Sequence, residues 1–155
     1  MTNKHTNNTT LADFIWKNAD VLWGNFKHVD FGKVILPFTL LRRLECVLEP
    51  TRAQVVSTHQ SMANQGIDMD LVLPPITGYP FYNTSNYDLG SLGATRTRQN
   101  LEDYISSFSA NARVIFEQFD FANTLARMDR GGVLYKICQN FAAINLHPNA
   151  VPERT

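Results

Sequence analysis

The sequence predicts an all-α fold, a compact bundle of about five to six helices with one long irregular loop. Two long segments, 31–49 and 101–119, carry apolar residues at helical spacing. Between them, prolines and glycines repeatedly interrupt the stretch 67–97. At 155 residues, 44% of them hydrophobic, the chain is long enough to bury one sizeable core.

The segment 31–49 predicts the central helix of the bundle. Its apolar residues cover most of the helix surface, so other helices must pack around it. Pro37 means either that 32–36 form a separate turn or that the helix is kinked, and Pro50 either starts a new helix or bends the old one. Helical composition then continues to Gly66. The broad apolar face consists of Val34, Leu36, Pro37, Leu40, Leu41, Leu44, Val47 and Leu48.

A first amphipathic helix is predicted ahead of the central one, from a hydroxyl cap at Thr9 or Thr10 to Gly24. Trp16 and Trp23 are seven residues apart and flank its apolar stripe on one side. Tryptophans at such positions favour the edge of a core, which we expect here; the alternative is an exposed pair that marks a surface for a partner. The stripe itself is formed by Leu11, Phe14, Ile15, Ala19 and Leu22.

Three helices are predicted after the loop. Asn100 caps a helix of five turns that runs to Phe119, with acidic residues in its first turn. Asp120 caps a shorter helix to about Met128, which MDRGG ends, and a last apolar stripe spans 133–141. The segment that ends at Phe119 is the strongest helical pattern in the chain.

The stretch 67–97 is expected to be irregular, with a short β-hairpin around 79–89 as an option. Long connections without secondary structure are uncommon in compact domains and tend to be functional. Tyr82, Asn83 and Tyr87 are therefore candidates for a surface that contacts a partner. The alternative is a packed loop that its tyrosines pin to the core, and the sequence favours neither.

The chain divides into three parts. Residues 1–8 are rich in Asn and Thr and are expected to form a disordered polar tail, followed by the helical domain at 9–147. Residues 148–155 include a proline and an acid placed as at the entry to a further helix. We therefore expect 148–155 to be a linker, or the start of a domain that is missing from a truncated chain.

Composition and motifs exclude several classes of function. Basic and acidic residues balance at 14 each, so the chain has no overall positive field. No apolar run is long enough to span a bilayer and no secretory signal is present, so we expect a cytoplasmic protein without a membrane partner. Cys46 and Cys138 are expected to be reduced, buried thiols, and no histidine lies at metal-ligand spacing. No catalytic, cofactor-binding or metal-binding motif is found, so no residue is assigned to those roles.

Basic residues with aromatic neighbours are the remaining candidate chemistry. Lys27 and Lys33 surround the turn into the central helix, while Arg96 and Arg98 precede Asn100. Such side chains can contact DNA phosphates, which require positive donors but leave little sequence signature. The alternative is an ordinary solvated face.

Several separated segments, taken in order, resemble the N-terminal helical domain of the modification subunit of type I restriction–modification systems. The resemblance covers nearly the whole chain from Leu11 onward. The segments are LADFIWKNADVLWGNFKHVDFGKVILPFTLLRRLECVLEP (11–50), GYPFYNTSNYDL (78–89), NLEDYISSFSANARVIFEQFDF (100–121) and NFAAINLHP (140–148).

The resemblance implies that the whole protein is a site-specific, adenine-specific DNA methyltransferase. In this family a following Rossmann-like domain binds S-adenosylmethionine and carries an Asn-Pro-Pro-aromatic motif; here Pro74 and Pro75 follow Leu73, so the motif is absent. The fragment alone is therefore expected to hold no cofactor and to be inactive. Its implied role is to help enclose DNA and to assemble with the specificity subunit, a second modification subunit and the restriction subunit. The alternative is a helical protein–protein interaction module with no nucleic-acid role.

Overall fold

The structure, a computed structural model, describes residues 3–148, with side chains from residue 12 onward. Within these residues it contains eight α-helices, two single 3-10 turns and two isolated β-bridges, with no strand. The predicted all-α class is confirmed, but the helices outnumber the predicted five to six. They are α1 (Asn3–Leu22), α2 (Gly32–Leu48), α3 (Arg52–Met62), α4 (Met69–Thr77), α5 (Thr97–Ser106), α6 (Ala110–Gln118), α7 (Phe121–Arg130) and α8 (Leu134–Ala142).

The central helix of the domain is α2, as predicted. Both α7 and α8 pack against it, and α1 packs against α8. Val34, Phe38 and Leu41 are fully buried beneath these neighbours. Leu36 lies roughly 200° round the helix from Val34 and is 60% exposed, so the apolar face predicted for this helix was too broad.

Two prolines near the centre of the sequence have different effects. Pro37 lies inside α2, which runs without interruption, so the alternative of a separate turn at 32–36 is wrong. Pro37 lies beyond the first turn of α2, so its missing N–H removes one helical hydrogen bond. Burial of the surrounding apolar side chains offsets that loss. Pro50 lies in the 3-10 turn Glu49–Thr51, which separates α2 from α3.

Aromatic rings form a continuous column through the core. Successive ring centroids lie 4.9–5.8 Å apart, within the range in which aromatic pairs attract each other. The column connects α1 and α8 at one end, through α2, to α7, α6 and α5 at the other. In order it consists of Phe14, Phe141, Phe38, Phe121, Phe116, Phe108 and Tyr104.

The first helix begins earlier than predicted. Because α1 starts at Asn3, it includes residues 3–8, so the prediction of a disordered polar tail is wrong for these residues. No glycine or proline occurs before Gly24, so no strong helix breaker opposes this extension. Of the predicted linker 148–155, all but the first residue lies outside the described part of the chain.

The stretch predicted to be irregular contains a helix, α4. The side chain of Asp68 caps its start by accepting from Asp70 N at 2.9 Å, and Gly78 ends it in the left-handed region at φ 77°. Between these caps, fully buried Leu73 anchors the helix in a small cluster with Val55 of α3. Caps at both ends and this burial outweigh the two prolines, which led us to expect a loop.

The optional hairpin around 79–89 does not form. The loop instead pairs with the turn between α5 and α6: Ser109 N donates to Tyr82 O at 2.9 Å, and Thr84 N donates to Ser107 O at 3.1 Å. These long-range hydrogen bonds break the helix that we predicted to run unbroken from Asn100 to Phe119. Serines lose little in such a break because their hydroxyls readily bond nearby backbone.

Two predicted caps also have other roles. Asn100 lies inside α5, where its side chain donates to Leu92 O at 2.8 Å and so fixes the preceding loop. Asp120 has a positive φ of 56°, and its carboxylate accepts from the side chain of Asn123 rather than from the backbone of α7. The last apolar stripe forms α8, as predicted.

Candidate nucleic-acid interface

The first pair of candidate phosphate contacts, Lys27 and Lys33, lies beside the start of α2. Both lysines are exposed. The ammonium of Lys33 lies 3.3 Å from the carboxylate of Asp30, and the guanidinium of Arg127 lies 4.0 Å from the same carboxylate. Asp30 therefore connects this segment to the last turn of α7.

Arg127 fixes the end of α7 against the same segment. Its guanidinium lies 4.1 Å from the ring centroid of Phe26, in a cation–π contact, and donates to Asn25 O at 3.2 Å. Arg130, one turn further along α7, is exposed. Neither arginine was among the predicted site residues, although two basic residues in the last turn of a strongly amphipathic helix are a recognisable signal.

The second candidate pair, Arg96 and Arg98, reaches the opposite flank of the same helix end. Arg96 is exposed just before α5. The Nε atom of Arg98 lies 3.8 Å from the carboxylate of Asp129 and 4.0 Å from that of Glu102. Arg98 therefore shares its charge with two carboxylates inside the domain, which leaves Arg96 as the freer donor.

The structure thus brings the two predicted basic segments to one end of α7. We call this region the basic surface. Its six basic residues outnumber the three carboxylates that contact them, Asp30, Glu102 and Asp129, in a chain with no net charge. This local surplus suits phosphate groups, which accept from exposed ammonium and guanidinium donors. The basic surface consists of Lys27, Lys33, Arg96, Arg98, Arg127 and Arg130.

The predicted partner-surface residues Tyr82, Asn83 and Tyr87 make hydrogen bonds inside the domain. The hydroxyl of Tyr82 donates to Asp70 at 2.5 Å, and the amide of Asn83 donates to Tyr104 O at 2.9 Å. The hydroxyl of Tyr87 donates to Asn100 Oδ1 at 3.1 Å. These contacts favour the packed-loop alternative, and contact between this loop and a partner stays a prediction.

A buried carboxylate, Glu45, ties the loop to α2 and α5. One of its oxygens accepts from Leu89 N at 2.8 Å and from the hydroxyl of Tyr104 at 2.9 Å, and the other accepts from Arg42 at 2.5 Å. Burial, together with the charge of Glu45, raises the pKa of Tyr104 well above its usual value. A buried carboxylate that accepts hydrogen bonds from three donors stabilises the fold rather than transferring a proton.

Both cysteines are free thiols, but only one of them is buried as predicted. Cys138 is completely buried, and burial raises the pKa of its thiol to about 12, which makes it a poor nucleophile. Cys46 is half-buried. Among the side chains that the structure describes, those of residues 12–148, no group of three His, Cys, Asp or Glu could hold a metal ion. None of the described helices is both long and apolar enough to cross a membrane.

The fold and the basic surface define a helical domain with a local surplus of positive charge on its exterior. Residues 11–141 match the family model described as the HsdM N-terminal domain. The chain belongs to this family, which forms the N-terminal domain of the methyltransferase (modification) subunit of type I restriction–modification systems. The resemblance found in the sequence is thereby confirmed. No curated protein and no solved structure matches the chain.

Membership places the domain in a known kind of assembly. Subunits of this family assemble with other subunits and with DNA in a type I restriction–modification complex, and the whole subunit belongs to a methyltransferase family.

Proposed function

We propose that this domain helps the modification subunit to enclose DNA, with the basic surface in contact with the phosphate backbone. The convergence of Lys27, Lys33, Arg96 and Arg130 at one end of α7 carries the proposal, since these residues come from three separate parts of the chain. Backbone contacts of this kind position a duplex without reading its sequence. The domain thus contributes affinity and orientation, and other parts of the complex select the target.

The methyl-transfer chemistry belongs to other polypeptide in this proposal. S-adenosylmethionine binds outside these residues, in the remainder of the modification subunit, and transfer is to the amino group of an adenine turned out of the duplex. Enclosing the duplex would help to hold DNA in that distorted form. The proposed protein partners are the specificity subunit, a second modification subunit and the restriction subunit, in the cytoplasm.

Removing charge from the basic surface of the assembled methyltransferase tests the DNA contact. The quadruple variant Lys27→Ala, Lys33→Ala, Arg96→Ala and Arg130→Ala should bind duplex DNA more weakly, and the slope of log affinity against log salt should fall by about 2–4. Four exposed side chains are removed and the core is untouched, so folding should be preserved.

The matched control is Arg113→Ala, a basic residue on α6 outside the basic surface whose guanidinium donates to Ser106 O. Its salt slope should equal that of the unaltered enzyme. An unchanged salt slope in the quadruple variant would remove the basic surface from the DNA interface. The isolated 155-residue chain should neither bind S-adenosylmethionine nor methylate DNA, and detectable transfer would place a catalytic site inside it.

A further inference from the structure

The outer side of α1, together with the residue that follows the helix, carries an apolar stripe that the rest of the domain leaves largely uncovered. Trp16 is 70% exposed and Trp23 is 71% exposed, so the prediction that these tryptophans form the edge of the core is wrong. The two indoles alone leave roughly 300 Å² of apolar surface open, which is comparable to the largest apolar patch on a typical monomer, a patch that is often functional. We call this the tryptophan stripe. It consists of Ala12, Ile15, Trp16, Ala19 and Trp23.

The opposite side of α1 is the one that holds the helix to the domain. The ring of Phe14 lies edge-on to Phe141, and the carbonyl oxygen of the Asn18 side chain accepts from Asn140 at 3.0 Å. Leu22 is fully buried on the same side. Because these contacts fix the rotation of α1, the tryptophan stripe is held facing outward.

The spacing of the stripe suits another helix. Ala12, Trp16, Ala19 and Trp23 follow one another at intervals of four, three and four residues, which is the seam along which two helices pack side by side. Small and large side chains alternate, so the seam offers hollows at the alanines and knobs at the tryptophans. A partner helix with the reverse alternation would fill both.

The charges beside the stripe decide what kind of molecule fits it. Asp13, Lys17 and Asp20 are exposed along one edge, with a net charge of one negative. DNA would meet two carboxylates and a single ammonium here, in contrast to the surplus of cations on the basic surface. Along this edge the charge disfavours the phosphate backbone as the occupant and favours basic side chains.

A second copy of the domain fits the apolar seam but not the charged edge. In an antiparallel pair, Trp23 of one copy would face Ala12 of the other, and Trp16 would face Ala19. The same symmetry brings Asp13 of one copy beside Asp20 of the other, at two places. Like charges brought together across an interface are destabilising, and Lys17 of each copy offsets only part of this repulsion, so a helix with basic edges is the better match.

We propose that the tryptophan stripe is a docking site for one amphipathic helix of a partner protein, with an apolar seam flanked by Lys or Arg where it passes Asp13 and Asp20. Trp16 is held on α1. Trp23 directly follows the helix, where its backbone N donates to Ala19 O at 3.0 Å and its ring lies edge-on to Phe31, so both indoles lose little conformational freedom on binding. This inference does not rest on DNA contact at the basic surface.

The chain offers a direct readout, because both of its tryptophans lie in the stripe. The probe is a designed helical peptide about three heptads long, with a Leu and Ala seam and Lys along one edge. A matched peptide carries Glu in place of each Lys. Titrating the Lys peptide into the 155-residue chain should shift tryptophan emission to shorter wavelength and saturate, while the Glu peptide should bind at least about tenfold more weakly.

Variants distinguish specific binding at the tryptophan stripe from nonspecific adhesion to apolar surface. Trp16→Ala with Trp23→Ala should weaken binding of a labelled Lys peptide at least about tenfold, as measured by fluorescence anisotropy. Asp13→Lys with Asp20→Lys should reverse the preference in favour of the Glu peptide. The control is Leu71→Ala on α4, which removes a side chain that is 74% exposed and should leave both affinities unchanged.

Other occupants would give different results, each of which overturns the proposal. Equal affinity for the two peptides would show that the acidic edge selects nothing, and no binding of either would show that the stripe takes no helix. Concentration-dependent dimerisation that Trp16→Ala abolishes would assign the stripe to a second copy. A change in tryptophan emission on adding duplex DNA, but not on adding the Lys peptide, would assign it to DNA.

Discussion

The tryptophan stripe contrasts with two tyrosines, Tyr82 in the loop between α4 and α5 and Tyr104 in α5. Both regions are aromatic, but their exposure to solvent is opposite. Trp16 and Trp23 expose most of their surface, whereas Tyr82 and Tyr104 are buried. Each of these tyrosines donates its hydroxyl to a carboxylate: Tyr82 to Asp70 and Tyr104 to Glu45. A buried phenol hydroxyl requires such a partner, so these tyrosines stabilise the fold. The exposed tryptophans are available to contact another molecule.

The tyrosines also show why the loop keeps one conformation without secondary structure. Backbone groups of the loop bond the turn between α5 and α6, and the Glu45 carboxylate accepts from Leu89 N within the loop. Burial, followed by the hydrogen bond from Tyr82 to Asp70, raises the pKa of Tyr82 above its usual value, so this hydroxyl keeps its proton throughout the neutral range. Hydrogen bonds to fixed partners replace regular structure here.

Removing the buried carboxylate should have the largest effect on stability. Glu45→Ala leaves Leu89 N, the Tyr104 hydroxyl and Arg42 without their acceptor, so we expect the free energy of unfolding in urea to fall by about 3 kcal/mol. Glu49→Ala, one turn further along and 67% exposed, is the control and should change it by less than about 0.5 kcal/mol. Equal losses in the two variants would contradict the role given to Glu45.

Removing one phenol oxygen should have a smaller effect. Tyr82→Phe deletes the hydrogen bond to Asp70 but keeps the ring in its cluster with Val55 and Leu73, so we expect a loss of about 1 kcal/mol in the same urea experiment. Tyr135→Phe, on exposed α8 surface, is the control and should be neutral. A neutral Tyr82→Phe would show that the loop does not depend on this bond.

The ion pair at the edge of the loop should make a small, pH-dependent contribution. Burial acts to raise the pKa of Asp88, but hydrogen bonds from Arg52 and Ser91 outweigh it and hold the pKa below the usual 3.8. A lowered pKa in the folded state stabilises the fold above the unfolded-state pKa, and that stabilisation is lost as pH falls through the folded-state value. Asp88 is about one-third exposed, so the contribution is about 1 kcal/mol or less.

The corresponding experiment compares Asp88→Asn with the unaltered chain at two pH values. The variant should melt at lower temperature at neutral pH, and the difference should shrink at a pH well below 3.8. A difference that stays constant across this range would mean that the charge of Asp88 is not what stabilises the loop.

Truncating the tryptophans should affect stability least. Trp16→Ala and Trp23→Ala remove side chains that are mostly in water, so each should change the free energy of unfolding by no more than about 0.5 kcal/mol. Phe38→Ala, which removes a fully buried ring from the aromatic column, is the contrasting variant and should cost about 3–5 kcal/mol. A large loss for either tryptophan would show that the stripe belongs to the core.

Local patterns in the sequence predicted α2, α8 and the all-α class, because burial repeats with the helical period along each segment. They could not place Trp16 and Trp23, since the side of α1 that is covered depends on α8, more than one hundred residues later. The break between α5 and α6 escaped prediction for a similar reason: backbone groups near Tyr82 and Thr84 cause it from a distance.

The candidate site could likewise be predicted from the sequence only in part. Four of the six residues of the basic surface were predicted from composition around helix starts. Their convergence was not predicted, because Asp30 and Asp129 connect them through the end of α7 and neither contact has a sequence signature. The loop tyrosines were expected to offer a partner surface, but their hydroxyl partners Asp70 and Asn100 can be recognised only in the fold.

The most direct test of whether the tryptophans contact partners while the tyrosines stabilise the fold is hydroxyl-radical footprinting of the type I methyltransferase. The measurement is made on the separate subunits, on the assembled complex and on the complex with DNA. The account predicts protection of Trp16 and Trp23 on assembly, protection of 27–33 and 127–130 on addition of DNA, and constant low reactivity of Tyr82 and Tyr104 throughout. Tryptophans that stay reactive in every state, together with tyrosines that become protected on assembly, would contradict it.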